Sequence, residues 1–85
     1  MNESIKNLNQ FNDKLKMILD LMRIIEEKEL IRNDRDAENI SSIMHNIIPQ
    51  AAMISEQQDL LQKFNDKLEK DLDVVIPILK SIVKP

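Results

Sequence analysis

Few side chains in this sequence could do chemistry, and His45 is the only histidine. A Ser-His-acid arrangement could draw on Ser41 or Ser42, but it would also need loops that present oxyanion donors to a substrate. The chain contains no glycine, the residue on which tight loops most often depend, and no such donors are evident. We therefore interpret His45, beside Asn46, as a solvent-facing residue and predict no nucleophilic site.

The sequence also lacks the residue patterns that metal binding or acid-base catalysis would require. There is no cysteine, and His45 has no second ligand at a helical spacing that would suit a metal ion. A carboxylate metal site in a helical bundle would need an inward Glu-x-x-His motif, which is absent. The acidic run 26–29 with Arg32 is typical of a solvated helix face. We expect no catalytic, cofactor-binding or metal-binding residues, and a protein that is not an enzyme.

The composition instead indicates long helices. Among 85 residues there is no Gly, Cys, Trp or Tyr, while 42% are hydrophobic and 32% are charged. Hairpin turns and bulges usually place glycine at positive φ, so its absence argues against a β-rich fold. The length allows one small domain at most, with little core to stabilise a monomer. We predict a single all-α domain over residues 1–85.

Charge and hydropathy narrow the range of partners. The net charge is −3, and no Lys or Arg occurs between Arg35 and Lys63, so we expect no nucleic acid. The chain shows no secretory signal and no apolar run of roughly 18 residues, the length that spans a bilayer. The apolar tail from Val74 carries only Lys80 and Lys84, which favours packing on a partner over a membrane surface. We expect a soluble, intracellular protein, located in the cytoplasm.

A first amphipathic helix is predicted over about 3–32, followed by a turn at about 33–36. Apolar residues alternate at spacings of three and four, as in a coiled coil. The Asn-Asp-Arg-Asp run at 33–36 breaks this pattern, and Asp34 or Asp36 would cap the next helix. The predicted seam consists of Leu8, Leu15 and Met22 at heptad position a and of Phe11, Ile18 and Ile25 at position d.

A second and longer helix is predicted over about 37–83, with possible breaks near 48–50 and 77. Pro49 and Pro77 interrupt the pattern, and proline cannot donate to a helical hydrogen bond. At Pro49 the helix either kinks or splits, and the continuous register favours a kink. Apolar residues recur every seven positions through the segment, which indicates a left-handed packing seam. The members of this seam are Ile40, Ile47, Ile54, Leu61, Leu68, Val75 and Ile82.

The pentapeptide FNDKL occurs twice, at 11–15 and at 64–68, in the same heptad register. In both copies Phe and Leu would point inward, while Asn, Asp and Lys would lie at the flank or in water. Two similar heptads in a compositionally narrow sequence are the favoured interpretation. Partial duplication of a helical unit comes next, and a doubled binding motif is disfavoured because its apolar half would be buried.

The first helix carries more apolar surface than one neighbour can cover. Met17, Leu21 and Ile24 form a second stripe beside the heptad seam. At about 1.5 Å per residue, the second helix would also overhang the first by more than a third of its length. A three-helix fold within one chain could cover this surface, but a second molecule is the favoured solution. The predicted fold is therefore a helical hairpin that packs into an oligomeric coiled-coil-like bundle.

These patterns predict a non-enzymatic protein–protein interaction module, a structural or adaptor subunit of a helical-bundle assembly. The alternative is a small soluble regulator that binds and inhibits or redirects one enzyme or transcription component through an exposed apolar face. The expected partners are the chain itself, other helical subunits, or both. The predicted interface residues are Ile40, Ile47, Ile54, Leu61, Phe64, Leu68, Val75, Ile82, Met17, Leu21 and Ile24.

Overall fold

A computed structural model describes the backbone of residues 2–56 and 58–84, and the side chains of residues 9–56 and 67–84. Within these residues the chain is helical and has no strand, so the all-α prediction is confirmed there. The elements are α1 (Asn2–Glu27), α2 (Asp34–Ser42), a π-helical turn (Ile43–Ile47), α3 (Ile48–Glu56) and α4 (Gln58–Val83). The segment from α2 through α3 keeps right-handed helical backbone at both junctions, and we call it the middle rod.

Helix α1 ends at Glu27, earlier than the predicted end near 32. Glu29 adopts a left-handed conformation with φ 52°. The Leu30 N–H donates to the Ile25 carbonyl at 3.0 Å, and the Glu29 N–H donates to the Glu26 carbonyl at 3.3 Å. These two bonds form a Schellman motif, which commonly ends a helix at a glycine. The helix stops because this bonding pattern turns the chain, although a glutamate occupies the left-handed position.

The middle rod begins with an N-cap at Asn33, not at the predicted Asp34 or Asp36. The Asn33 side chain accepts a hydrogen bond from the Asp36 N–H at 2.8 Å, which satisfies a donor that the helix end would leave unpaired. Asp34 and Asp36 lie in the first turn, where their negative charges face the positive end of the helix dipole. The turn between α1 and the middle rod therefore comes before the predicted turn at 33–36.

Pro49 lies inside α3, and the helix passes it without ending. The π-helical turn comes directly before it, and the Ile48 N–H donates to the Ile43 carbonyl, five residues back. A proline ring would clash with the carbonyl four residues before it in a regular α-helix, and the wider turn relieves that clash. The turn also shifts the register, so that both Ile47 and Ile48 are half-buried.

Three rods, namely α1, the middle rod and α4, pack side by side across the described residues. Helices α1 and α4 run parallel. Lys14 contacts Glu69 and Asp73 about midway along both helices, while Arg32, beyond the end of α1, reaches the Ile82 carbonyl at the end of α4. The middle rod runs antiparallel to α1, because Ser55 contacts Asn12 while Ile40 lies beside Ile25. All three rods contribute to one buried cluster, made of Phe11, Leu15, Ile18, Ile25, Ile40, Ile43, Ala51, Ile54, Leu68, Leu72, Val75, Leu79 and Ile82.

The structure therefore differs from the predicted two-helix hairpin. In place of one long second helix the chain has the middle rod, which ends at Glu56, and α4, which begins at Gln58. Pro49 lies inside α3 and Pro77 inside α4, so neither proline ends a helix. At about 1.5 Å per residue, the 26 residues of α1 and the 26 of α4 each span roughly 39 Å, close to the longest extent of the molecule, 43 Å. The two helices match in length. Among the described residues of α4, those on the core face are buried by α1 and the middle rod, and they belong to the segment that the predicted hairpin would leave as an overhang: Leu68, Leu72, Val75, Leu79 and Ile82.

Candidate functional site

Ser41 and His45 come together one helical turn apart, but their hydrogen bonding opposes catalysis. His45 Nδ1 lies 2.8 Å from the Ser41 carbonyl oxygen and 3.3 Å from Ser41 Oγ. A carbonyl oxygen can only accept, so Nδ1 carries the proton and donates it. A nitrogen that donates to the backbone cannot take the proton of the serine hydroxyl. Both side chains are exposed, and we assign them no chemical role.

The part of the chain that the structure describes contains neither a cluster of metal ligands nor a helix suited to crossing a membrane. No group of three or more His, Cys, Asp or Glu side chains lies close enough there to hold a metal ion. None of the helices there combines the length and the apolar character that crossing a membrane requires.

Among the described residues, a groove of about 410 Å³ lies between α1 and α2, and we call it the α1–α2 groove. Six large apolar side chains are exposed in the described part of the chain, and three of them lie at this groove. These three are Leu19, Ile31 and Met44, which are 46%, 45% and 49% exposed. The complete lining consists of Leu19, Met22, Arg23, Ile25, Glu26, Ile31, Ile40 and Met44.

The two flanks of α1 contact different helices, and the groove lies on the flank that faces the middle rod. One flank carries Lys14, whose Nζ lies 3.0 Å from Glu69 Oε1 and 2.9 Å from Asp73 Oδ1 of α4. The opposite flank carries Asn12, which accepts a hydrogen bond from the Ser55 hydroxyl of α3 at 2.7 Å. Leu19 lies two turns beyond Asn12 on that flank. There the rim of α1 faces α2, and the groove remains between them.

The charges at the groove lie on its rim. Arg23 is 64% exposed, and its Nη2 is 3.7 Å from Asp20 Oδ1, a long contact between two well-solvated groups. Glu26 is exposed one turn further along α1. The residues that line the groove therefore include one basic and one acidic side chain among apolar ones, with Asp20 just outside the lining.

Two other depressions are more polar. A pocket of about 420 Å³ at the end of the bundle is lined mainly by polar side chains, among them Asn33, Arg35 and Asp36. A shallower groove of about 240 Å³ lies between the middle rod and α4, where Asp71 and Ser42 share the lining with Val74. Neither gathers exposed apolar side chains as the α1–α2 groove does.

The predicted interface seam packs largely inside the chain itself. Ile47 is half-buried, and the side chains of Leu61 and Phe64 lie outside the described residues. The other members are buried where α1, the middle rod and α4 pack together, so their burial needs no second chain. These buried members are Ile40, Ile54, Leu68, Val75 and Ile82.

The predicted second stripe of α1 lies on the Lys14 flank, beside α4. Leu21 packs against the buried cluster, and Ile24 is half-buried. Met17 is 42% exposed. The stripe is therefore partly covered within the chain, and only Met17 presents a large apolar surface to water.

Leu19, Arg23 and Met44 are among the groove residues that the sequence analysis did not select. Leu19, Met22, Arg23 and Glu26 follow one another at spacings of three, one and three, which places them along one edge of α1. That spacing is visible in the sequence. Which of the two edges a neighbouring rod covers is not, because it depends on how the three rods are arranged.

Comparison of the chain with protein-family models, with curated proteins and with solved structures finds no match.

Proposed function

We propose that this chain is a non-enzymatic helical protein–protein interaction module, a structural or adaptor subunit of a helical-bundle assembly. Its partners in this proposal are helices of another copy or of other subunits, packed in a coiled-coil-like manner. The observation that supports the proposal is the gathering of Leu19, Ile31 and Met44, each nearly half exposed, at one groove.

The α1–α2 groove suits a helix as its occupant. Burying a fully exposed Leu, Ile or Met side chain contributes about 1.5–3 kcal/mol, so half-exposed ones contribute roughly half as much each. Met22 and Met44 lie in the groove. Because methionine is unbranched and polarisable, it adjusts to the shape of a partner. An amphipathic helix would present apolar residues three and four positions apart to such a groove.

A second candidate function is a small regulator that binds and inhibits or redirects one enzyme or transcription component through this apolar face. The observation in its favour is that all three rods contribute to one buried cluster. A chain that closes its own core can be folded and discrete before it meets its target. A subunit that completes its core only within an assembly cannot.

Affinity capture from cells that express the chain tests the proposal. The variant Leu19→Gln with Met44→Gln removes apolar surface from the groove while keeping helix propensity nearly level. The lost burial predicts a fall in captured partner of about tenfold or more. The matched control is Met53→Gln with Val74→Gln, since these side chains are also exposed, at 50% and 62%, and lie outside the groove.

Equal capture by the groove variant and the control would contradict the proposal. When capture depends on the groove, the identity of the captured proteins separates the two candidate functions. Several helical subunits in fixed ratio support a structural or adaptor role, and a single enzyme or transcription component supports a regulator.

A further inference from the structure

The α1 edge of the α1–α2 groove has an order of residues that complements itself. From the N-terminal end it presents Leu19, Arg23 and Glu26, and Ile31 follows beyond the end of the helix. The order is apolar, basic, acidic, apolar. Reversed, it becomes apolar, acidic, basic, apolar. Two such edges laid antiparallel therefore place opposite charges together in the middle and apolar side chains together at both ends.

The spacing on the helix allows this pairing. Leu19, Arg23 and Glu26 lie at positions i, i+4 and i+7, on one stripe of α1. At about 1.5 Å per residue, the two charges are roughly 4.5 Å apart along the axis. A two-fold axis passing between them would set each Arg23 against the Glu26 of the other copy. Arg23 is free to turn towards it, because its contact with Asp20 is long at 3.7 Å and its side chain is 64% exposed.

We propose that a second copy of this chain is the partner that docks in the α1–α2 groove, with the two α1 helices antiparallel about a two-fold axis. This inference rests on the proposed function and names its partner. Leu19 of each copy then packs near Ile31 of the other, while Met22 and Met44 fill the space between the helices. Two identical Arg23–Glu26 pairs fix the register of this isologous interface.

The charges at the rim favour a second copy over an unrelated helix. A rim rich in one charge would select a partner of the opposite charge. The groove lining carries one charge of each sign, Arg23 and Glu26. When the same surface is reversed, each of these charges faces one of the opposite sign. Eight residues line the groove, fewer than the roughly 20–30 that each partner contributes to a standard interface. The dimer is therefore reversible and forms at high protein concentration.

Sedimentation equilibrium of the purified chain at low ionic strength, from micromolar to millimolar concentration, tests the inference. The parent should reach twice its mass of 9.9 kDa. Arg23→Glu sets like charges together at both symmetric contacts, and so does Glu26→Arg, so each should weaken association by roughly tenfold or more. Because both side chains are exposed, both variants should remain folded, which circular dichroism checks.

Two further samples are specific to the antiparallel self-pairing. The double variant Arg23→Glu with Glu26→Arg restores opposite charges at both contacts and should recover the association of the parent. An equimolar mixture of the two single variants should form a heterodimer more tightly than either forms a homodimer. Lys70→Glu, an exposed charge change on α4 away from the groove lining, should leave association unchanged.

A parent that stays monomeric at every concentration would overturn the inference. Association that the two single swaps leave unchanged, or that the double swap does not recover, would overturn it too. Groove-dependent capture of a different protein by a monomeric parent would refute self-docking alone. A monomeric parent without groove-dependent capture would refute the proposed function as well.

Discussion

The polar residues of the first FNDKL copy connect α1 to both other rods. Asn12 accepts a hydrogen bond from Ser55 of the middle rod, and Lys14 contacts Glu69 and Asp73 of α4. In the second copy, Lys67 is exposed. The two FNDKL copies therefore share apolar packing, since Leu15 and Leu68 are both buried. Their lysines differ, because Lys14 contacts two carboxylates of α4 and Lys67 is exposed.

Lys14→Met should lower the free energy of unfolding by about 1 kcal/mol or less at neutral pH, because partly exposed ion pairs are screened by water. Lys16→Met is the matched control, since Lys16 is exposed on the same helix. Urea unfolding of both variants and of the parent measures the difference. An equal loss in the two variants would contradict a stabilising contact at Lys14.

The contact also has a pH signature. The hydrogen bond to Asp73, with a further contribution from Glu69, raises the pKa of Lys14 above its ordinary value, against the opposing effect of desolvation. A pKa raised by folding means that the stabilisation is fully present below the unfolded-state pKa of about 10.4 and is lost as the pH rises through the folded-state pKa. The difference between the parent and Lys14→Met should therefore be constant near neutrality and shrink in strongly alkaline solution.

At the scale of the helices, the heptad pattern predicted which residues face inward but not where the helices end. Phe11, Leu15, Ile18 and Ile25 are buried as their positions require, and Met22 is half-buried. The end of α1 was missed because Glu29 takes the left-handed position that glycine usually marks. At Pro49 the sequence allowed a kink or a split and favoured the kink, and the helix does not split there, because a π-helical turn accommodates the proline.

Glu29→Gly should raise the free energy of unfolding by about 1 kcal/mol, since glycine adopts a φ of 52° without the steric cost that a Cβ imposes. Glu27→Gly, inside α1, should instead lower it by roughly 0.5–1 kcal/mol. Thermal and urea unfolding would measure both changes. Destabilisation by Glu29→Gly comparable to that by Glu27→Gly would mean that α1 continues past Glu29.

At the scale of the whole molecule, the all-α class was predictable from composition, and the number of rods was not. The uninterrupted heptad from Ile40 to Ile82 indicates one long seam, but the same spacing serves two shorter rods that share a core. Because α3 ends at Glu56 and α4 begins at Gln58 as a separate helix, the apolar residues of α4 pack against the other two helices. The sequence analysis had assigned those residues to contact with a second molecule. The candidate groove depends on that arrangement, so it was the least predictable feature.

The central claim is that one chain closes its own core and leaves the α1–α2 groove as its surface for association. The most direct test is the urea unfolding midpoint of the Leu19→Gln, Met44→Gln variant, measured over about a hundredfold range of protein concentration. We predict a cooperative transition with the same midpoint throughout, while the midpoint of the parent rises with concentration because association stabilises the folded state. A variant that is unfolded, or whose midpoint still rises with concentration, would show that the seam itself is buried between chains.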